Sequence, residues 1–346
     1  YPLGDLLNDR PGTRPASQPA AVARNRLLLL DLARVWTGTA PMSSVAHWQL
    51  ARALEAAGAD SALDQMHVAR RLAATPDERV HAGADEIRFL IGGNQFAAAR
   101  ALAETLATAS VSIAESRQLA ALDGLTGRVQ EALVDTRRST TTDTIDTPGG
   151  RVVVPPPVAS AALDYLVYAS FGSPADSVRV TAERAERAID RWIDPVHRES
   201  VRHGLLDWPS TLAFSTIGAR PEHPRTANGG NFLDLQSSLA HGDTGVVRRA
   251  LTAMPVFGLT PSPAVAYEVA LLRLAVGDSA GAAHSLDGVL DTPPFDPRVI
   301  EDVTEATCLV RAMALRAELA TSPTDTARAA RWSGAFRTLW AHPSFP

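Results

Sequence analysis

The sequence predicts an all-α protein, an α-solenoid in which antiparallel helix pairs stack in chain order. The first observation is a turn glycine that recurs between amphipathic stretches: Gly58, Gly93 and Gly127 lie 35 and 34 residues apart, and Gly242 and Gly277 lie 35 apart. A fixed period of this size is a signature of repeat architectures. The second is composition, because alanine, the best helix former, is abundant and aromatic residues are only 5% of the chain. The third is that few runs of β-branched residues follow the two-residue period of a strand.

The N-terminal part of the chain is predicted to hold an extended segment followed by regular repeats. Residues 1–18 contain several prolines and little periodicity, which is typical of an extended lead-in. Residues 19–138 are predicted to be the N-terminal helical repeats, a single helix and then three helix pairs. Within them Thr75 is the expected N-cap of a helix, with Pro76 at the first helical position and Glu78 three residues after the cap.

The period is interrupted in the middle of the chain and returns after it. Threonines, the run "RVVV" and the turn signal "PGG" predict a small hairpin or irregular insertion over 139–157, and three prolines delay the next helix to about Val158. Residues 158–230 are predicted to be off-period helices that end in a long loop over about 207–231. The C-terminal helical repeats are expected over 231–341.

The repeat units resemble those of the tetratricopeptide-repeat family. That family places an alanine five residues after the inter-helix glycine, then a large apolar residue, a small residue and often a proline. The unit that matches best carries Gly277, Ala282, Leu286, Val289 and Pro294. The closing stretch "RAARWSGAFRTLWAHPSFP" also resembles the ends of repeat tails on some bacterial membrane-anchored kinases and regulators.

The resemblance implies a concave groove lined by the first helix of each pair. Equivalent groove positions of separate repeats carry scarce aromatic residues, arginine and one glutamine: Trp48, Arg52, Arg117, Phe232, Gln236 and Tyr267. Trp, Tyr and Arg are the residue types that most often anchor protein partners. We expect these residues to bind a partner segment, or the chain's own 1–18 or 207–231 segment. The alternative is that they fill the interior of the superhelix.

Charge and composition exclude several classes of function. The net charge of −5 is too small to suggest binding of a polyanion, so no nucleic-acid partner is expected. All 33 basic residues are arginine, a bias that a GC-rich bacterial genome explains. A lysine-free chain has neither the lysine of a standard phosphate-binding loop nor a Schiff-base amine. No cofactor or metal site is predicted, because the scattered histidines and the single cysteine form no ligand pattern.

The remaining sequence features concern burial and location. Cys308 lies on an apolar helical stripe with Ala312 and Leu315, which predicts a buried, unpaired thiol. No apolar run reaches the length of about 20 residues that a transmembrane helix needs. The chain begins at Tyr1, which is compatible with a processed, exported or periplasmic protein and leaves the compartment open.

Two functions follow from this pattern. The leading expectation is a non-enzymatic scaffold or assembly subunit that binds a protein or peptide, alone or within a larger complex. The alternative is an α/α-ring hydrolase-like enzyme whose site is formed by the 207–231 loop and by acidic residues such as Asp164 and Asp207.

Overall fold

The computed structural model describes residues 19–59, 61–113, 115–139, 143–147, 150–218, 232–253, 262–291, 297–319 and 323–341. Within these ranges the chain forms sixteen α-helices, one short 3₁₀-helix and one two-stranded sheet, so the all-α prediction is confirmed. The predicted 1–18 segment and most of the predicted 207–231 loop lie outside the described residues.

The N-terminal part of the described chain contains one helix followed by three pairs. Their bounds are α1 Pro19–Thr39, α2 Ser44–Ala56, α3 Ala62–Leu72, α4 Pro76–Gly92, α5 Phe96–Leu106, α6 Ser116–Thr126 and α7 Val129–Ser139. At the start of α4 the Thr75 hydroxyl accepts a hydrogen bond from the backbone N–H of Glu78 at 3.2 Å, which confirms the predicted cap. Glu78 Oε2 accepts from the N–H of Ala74, one residue before the cap, and not from the Thr75 N–H that a capping box would use.

The hairpin is confirmed, and two proline-based predictions about the middle of the chain are wrong. Strands β1 (Asp143–Thr147) and β2 (Gly150–Val154) pair antiparallel. Helix α8 (Pro156–Phe171) begins earlier than expected, because prolines are tolerated in the first turn, where the N–H has no helical partner. Helix α9 (Ala175–Trp192) precedes α10 (Arg198–Ile217), which continues through Pro209 although an irregular loop was predicted from 207. Residues 209–213 are buried, so tertiary packing overrides the proline.

The C-terminal repeats form three further pairs. Their bounds are α11 Phe232–Ala240, α12 Thr244–Ala253, α13 Pro263–Ala275, α14 Ser279–Leu290, a 3₁₀-helix Pro297–Ile300, α15 Val303–Glu318 and α16 Pro323–Leu339. Consecutive helices pack against each other along the described chain, which is the arrangement of a helical repeat.

Left-handed residues make the turns inside six of the helix pairs. Four of the five predicted turn glycines have φ between 70° and 82°. Gly93 is the exception: it stays at φ −80°, and Asn94 takes the left-handed position at φ 60°. Asn is among the few non-glycine residues that tolerate this region. Gly172, at φ 62° between α8 and α9, makes the same kind of turn at a position that the 35-residue spacing does not predict.

The stack closes on itself, because the last helix pair packs against the middle of the chain. Helix α15 packs against α6, α8 and α13, and α16 packs against α5. The Trp340 indole donates to the carbonyl of Gly124 at 3.0 Å and stacks on Phe171 with ring centroids 5.7 Å apart. The largest hydrophobic core runs from Val80 to Trp340. Cys308 lies within it, fully buried and unpaired, as predicted.

Candidate functional site

The six predicted groove residues do not form one surface. Trp48 and Arg52 lie together on α2. The Trp48 indole donates to Asp85 Oδ2 at 2.7 Å and its ring lies 5.1 Å from that of His81. The Arg52 guanidinium lies 5.4 Å from the Trp48 ring and 3.8 Å from the Asp85 carboxylate. Both side chains are half-buried and linked to α4 by charge and hydrogen bonds.

Phe232, Gln236 and Tyr267 form a second group, which contacts α10 and α15. Gln236 Nε2 donates to the Thr211 carbonyl at 3.0 Å and to Glu268 Oε2 at 3.1 Å. The Arg311 guanidinium of α15 lies 4.5 Å from the Tyr267 ring. Gln236 and Tyr267 are buried, and Phe232 meets Trp208 edge to face at 6.3 Å.

Arg117 lies apart from both groups. It is exposed, and its guanidinium is 3.5 Å from Asp302 at the start of α15. Two of the three groups therefore face α15 or the residue that caps it. In this structure α15 occupies space that an open superhelix would leave to a partner. Partner binding by the six residues stays a prediction.

The Gln236–Tyr267 group contains a buried acid, Glu268. Burial raises the pKa of Glu268 to about 8, against the opposing effects of the Arg311 charge and the Gln236 hydrogen bond. Glu268 Oε1 and Gln236 Oε1 have no hydrogen-bond partner within the described part of the chain. The arrangement therefore holds a neutral carboxyl group at pH 7 inside the protein.

The acidic residues of the alternative enzyme prediction have separate partners. Asp164 accepts from Arg137 and Arg184, while Asp207 Oδ2 lies 3.2 Å from His203 Nδ1. Among the described residues, no three or more His, Cys, Asp or Glu side chains are grouped to hold a metal ion.

An open cleft between α7, α8 and α9 is lined largely by charged side chains. Its volume is about 500 Å³. Four arginines line it, with one carboxylate and one exposed tryptophan: Arg137, Arg184, Arg187, Arg191, Asp164 and Trp192. The four guanidinium groups and one carboxylate give the lining a charge of +3, although the whole chain is at −5.

Asp164 positions two of the guanidinium groups. Its buried carboxylate accepts two hydrogen bonds from Arg137, both at 2.7 Å, and one from Arg184 at 3.2 Å. This bidentate pairing fixes the orientation of the Arg137 fork. A guanidinium carries five N–H donors, so two bonds from Arg137 and one from Arg184 leave donors for a further anionic group.

The other end of the cleft combines charge with an aromatic surface. The Arg191 guanidinium lies 5.4 Å from the centroid of the Trp192 ring. Trp192 is 52% exposed, which is unusual for so large an apolar side chain. Arg187 is also exposed, and its nearest described carboxylate is Glu183 at 3.3 Å on the same helix.

The sequence carried a signal for this cleft. Arg184, Arg187 and Arg191 are spaced at i, i+3 and i+7, which places them on one face of α9. The contribution of Arg137 cannot be deduced from spacing, because it depends on Asp164 of α8, whereas the neighbouring Arg138 donates to the carbonyl of Val111.

Comparison of the chain with protein-family models, with curated proteins and with solved structures finds no match. No helix in the described ranges is both long and apolar enough to cross a bilayer.

Proposed function

We propose that this chain is a non-enzymatic helical-repeat scaffold of the tetratricopeptide type that binds a protein partner. The observation that carries the proposal is the cleft lined by Arg137, Arg184, Arg187 and Arg191, here called the arginine cleft. It is an open, positively charged surface with an exposed tryptophan ring, and three packed helices hold it in place. Arginine and tryptophan are enriched among residues that dominate binding energy at protein interfaces.

The tetratricopeptide assignment is supported by the geometry of the turns. Left-handed residues join the helices inside six pairs, five of them at or beside the predicted repeat glycines. This is the helix, tight turn and helix unit of that family.

The arginine cleft is a better binding surface than the interior of the stack. Gln236 and Tyr267 are only 2% and 7% exposed, and α15 contacts the region where they lie. A partner would have to displace packed helices to reach them. The cleft needs no such rearrangement, and rigid pre-formed surfaces lose less entropy on binding.

Site-specific photo-crosslinking in the cells that make the protein tests this proposal. A photo-reactive amino acid is placed at position 192, and as a matched control at position 179, which is exposed on the same helix but outside the cleft. We expect a discrete protein adduct from position 192 and none from position 179. Absence of any protein adduct from cleft positions and from other exposed positions of the stack would refute a binding function.

A further inference from the structure

We propose that the arginine cleft recognises an extended acidic segment of its partner, with carboxylates at alternate residues. This inference rests on the proposed binding function and adds the chemistry of the partner. Three observations carry it: the charge of the lining, the spacing of the arginines on α9, and the Arg137 guanidinium, which Asp164 holds in a fixed orientation.

The charge of the lining selects an anionic occupant. Asp164 is already neutralised by Arg137 and Arg184, so it does not repel an incoming carboxylate as an unpaired acid would. Arg191 adds a further positive charge to the lining, and Arg187 adds one that it shares with the exposed carboxylate of Glu183 on the same helix. Clusters of arginine are a recurrent way to bind acidic peptide motifs.

The spacing of the arginines matches an extended peptide. Along the helix axis Arg184 and Arg187 are separated by about 4.5 Å, and Arg187 and Arg191 by about 6 Å, at 1.5 Å of rise per residue. Alternate side chains of an extended chain lie about 6.6 Å apart on one face. Two carboxylates at i and i+2 would therefore face Arg187 and Arg191, and a third would approach Arg184.

The cleft also indicates how such a segment would be held at its end. The exposed Trp192 ring beside Arg191 offers an apolar surface of about the size of one side chain. A volume of about 500 Å³ accommodates a few residues. A long polyanion such as nucleic acid would instead meet the field of a chain at −5.

Fluorescence anisotropy with the full chain tests the proposal. The probe is a labelled peptide Gly-Glu-Ala-Glu-Ala-Glu-Gly, and its partner probe has glutamine in place of each glutamate. The variants are Arg187→Gln with Arg191→Gln, and the matched control is Arg179→Gln. Arg179 is another exposed arginine of α9, which pairs with Asp176 and does not line the cleft.

We expect the glutamate peptide to bind, the glutamine peptide to bind at least tenfold more weakly, and added salt to weaken binding. The double variant should bind the glutamate peptide at least tenfold more weakly than the native chain, whereas Arg179→Gln should stay within twofold. Circular dichroism of each variant establishes that the helices are intact.

Three results would overturn the inference: no binding of the glutamate peptide, equal binding of the glutamine peptide, or equal weakening by Arg179→Gln. In the first of these cases, binding of a labelled phosphoserine peptide of the same length would point to phosphate recognition instead. The proposed function fails separately, when no protein crosslinks to the stack. A partner crosslinked at position 192 with no affinity for acidic peptides refutes only the present inference.

Discussion

Replacing Asp123 by asparagine should make the stability of this protein less sensitive to pH. Asp123 lies on α6 and is fully buried, and burial raises its pKa from 3.8 to about 8. The Arg128 guanidinium, 3.3 Å away, opposes this effect, while the negative charges of Asp135 and Glu131 add to it. Both Asp123 carboxyl oxygens lie without a hydrogen-bond partner among the described residues, which adds to the cost of a negative charge there. An asparagine has nearly the same shape and carries no charge at any pH.

The direction of this pH effect follows from the number of protons that the folded and the unfolded states bind. The folded state holds the Asp123 proton up to about pH 8, whereas the unfolded chain loses it above about pH 4, so folding takes up a proton between these values. The favourable contribution is complete below the unfolded pKa and is lost as the pH rises through the folded pKa. One pKa unit corresponds to about 1.36 kcal/mol, so the native protein should lose about 3 kcal/mol relative to Asp123→Asn between pH 5 and pH 7.

Urea unfolding of both proteins at pH 5, 6 and 7 measures this difference directly. Other buried acids such as Glu268 are present in both proteins, so their contributions cancel. Asp176→Asn is the control, because Asp176 is almost fully exposed and its substitution should leave the slope of stability against pH unchanged. Parallel profiles for the native protein and Asp123→Asn would refute the assignment of a buried neutral acid.

Further predictions concern the closure of the stack, the buried thiol and the turns. Trp340→Ala should lower the free energy of unfolding by about 3–5 kcal/mol, and Trp340→Phe should lower it by less, because it keeps an aromatic ring against Phe171. Equal urea midpoints for the two variants would contradict closure of the stack by this ring. Burial raises the pKa of the Cys308 thiol, so a thiol reagent should label the native protein much more slowly than the urea-unfolded chain, and equal rates would count against its burial. Gly127→Ala should lower the free energy of unfolding by about 1–2 kcal/mol because φ is 78°, whereas Gly334→Ala, inside a helix with open space for a Cβ, should raise it by about 0.5–1 kcal/mol. A higher thermal unfolding midpoint for Gly127→Ala than for Gly334→Ala would refute the turn assignment.

Features that depend on neighbours in the sequence were predicted well. The helix pairs, the turn at Gly127, the cap at Thr75, the hairpin and the burial of Cys308 all follow from residue type and spacing within a few turns of chain. Proline was the weakest local signal: α10 continues through Pro209, because burial of the surrounding residues outweighs the lost hydrogen bond.

The candidate site depended on contacts that no spacing rule reveals. The cleft exists because Asp164 of α8 holds Arg137 and Arg184 from the helices on either side, and sequence spacing shows only the arginines of α9. Likewise, the groove positions were predicted from the repeat pattern of an open superhelix. That pattern does not show that α15 packs back against α6 and α8.

By itself the sequence determined that the described chain is built from paired α-helices, since apolar periodicity and turn residues act between near neighbours in the chain. The tertiary structure alone decided that the stack closes, through contacts such as that between Trp340 and Gly124, which are 216 residues apart. It also decided the ionisation of Asp123 and the charge of the cleft. Both depend on how much water and which charges surround a group, and those neighbours come from distant parts of the chain.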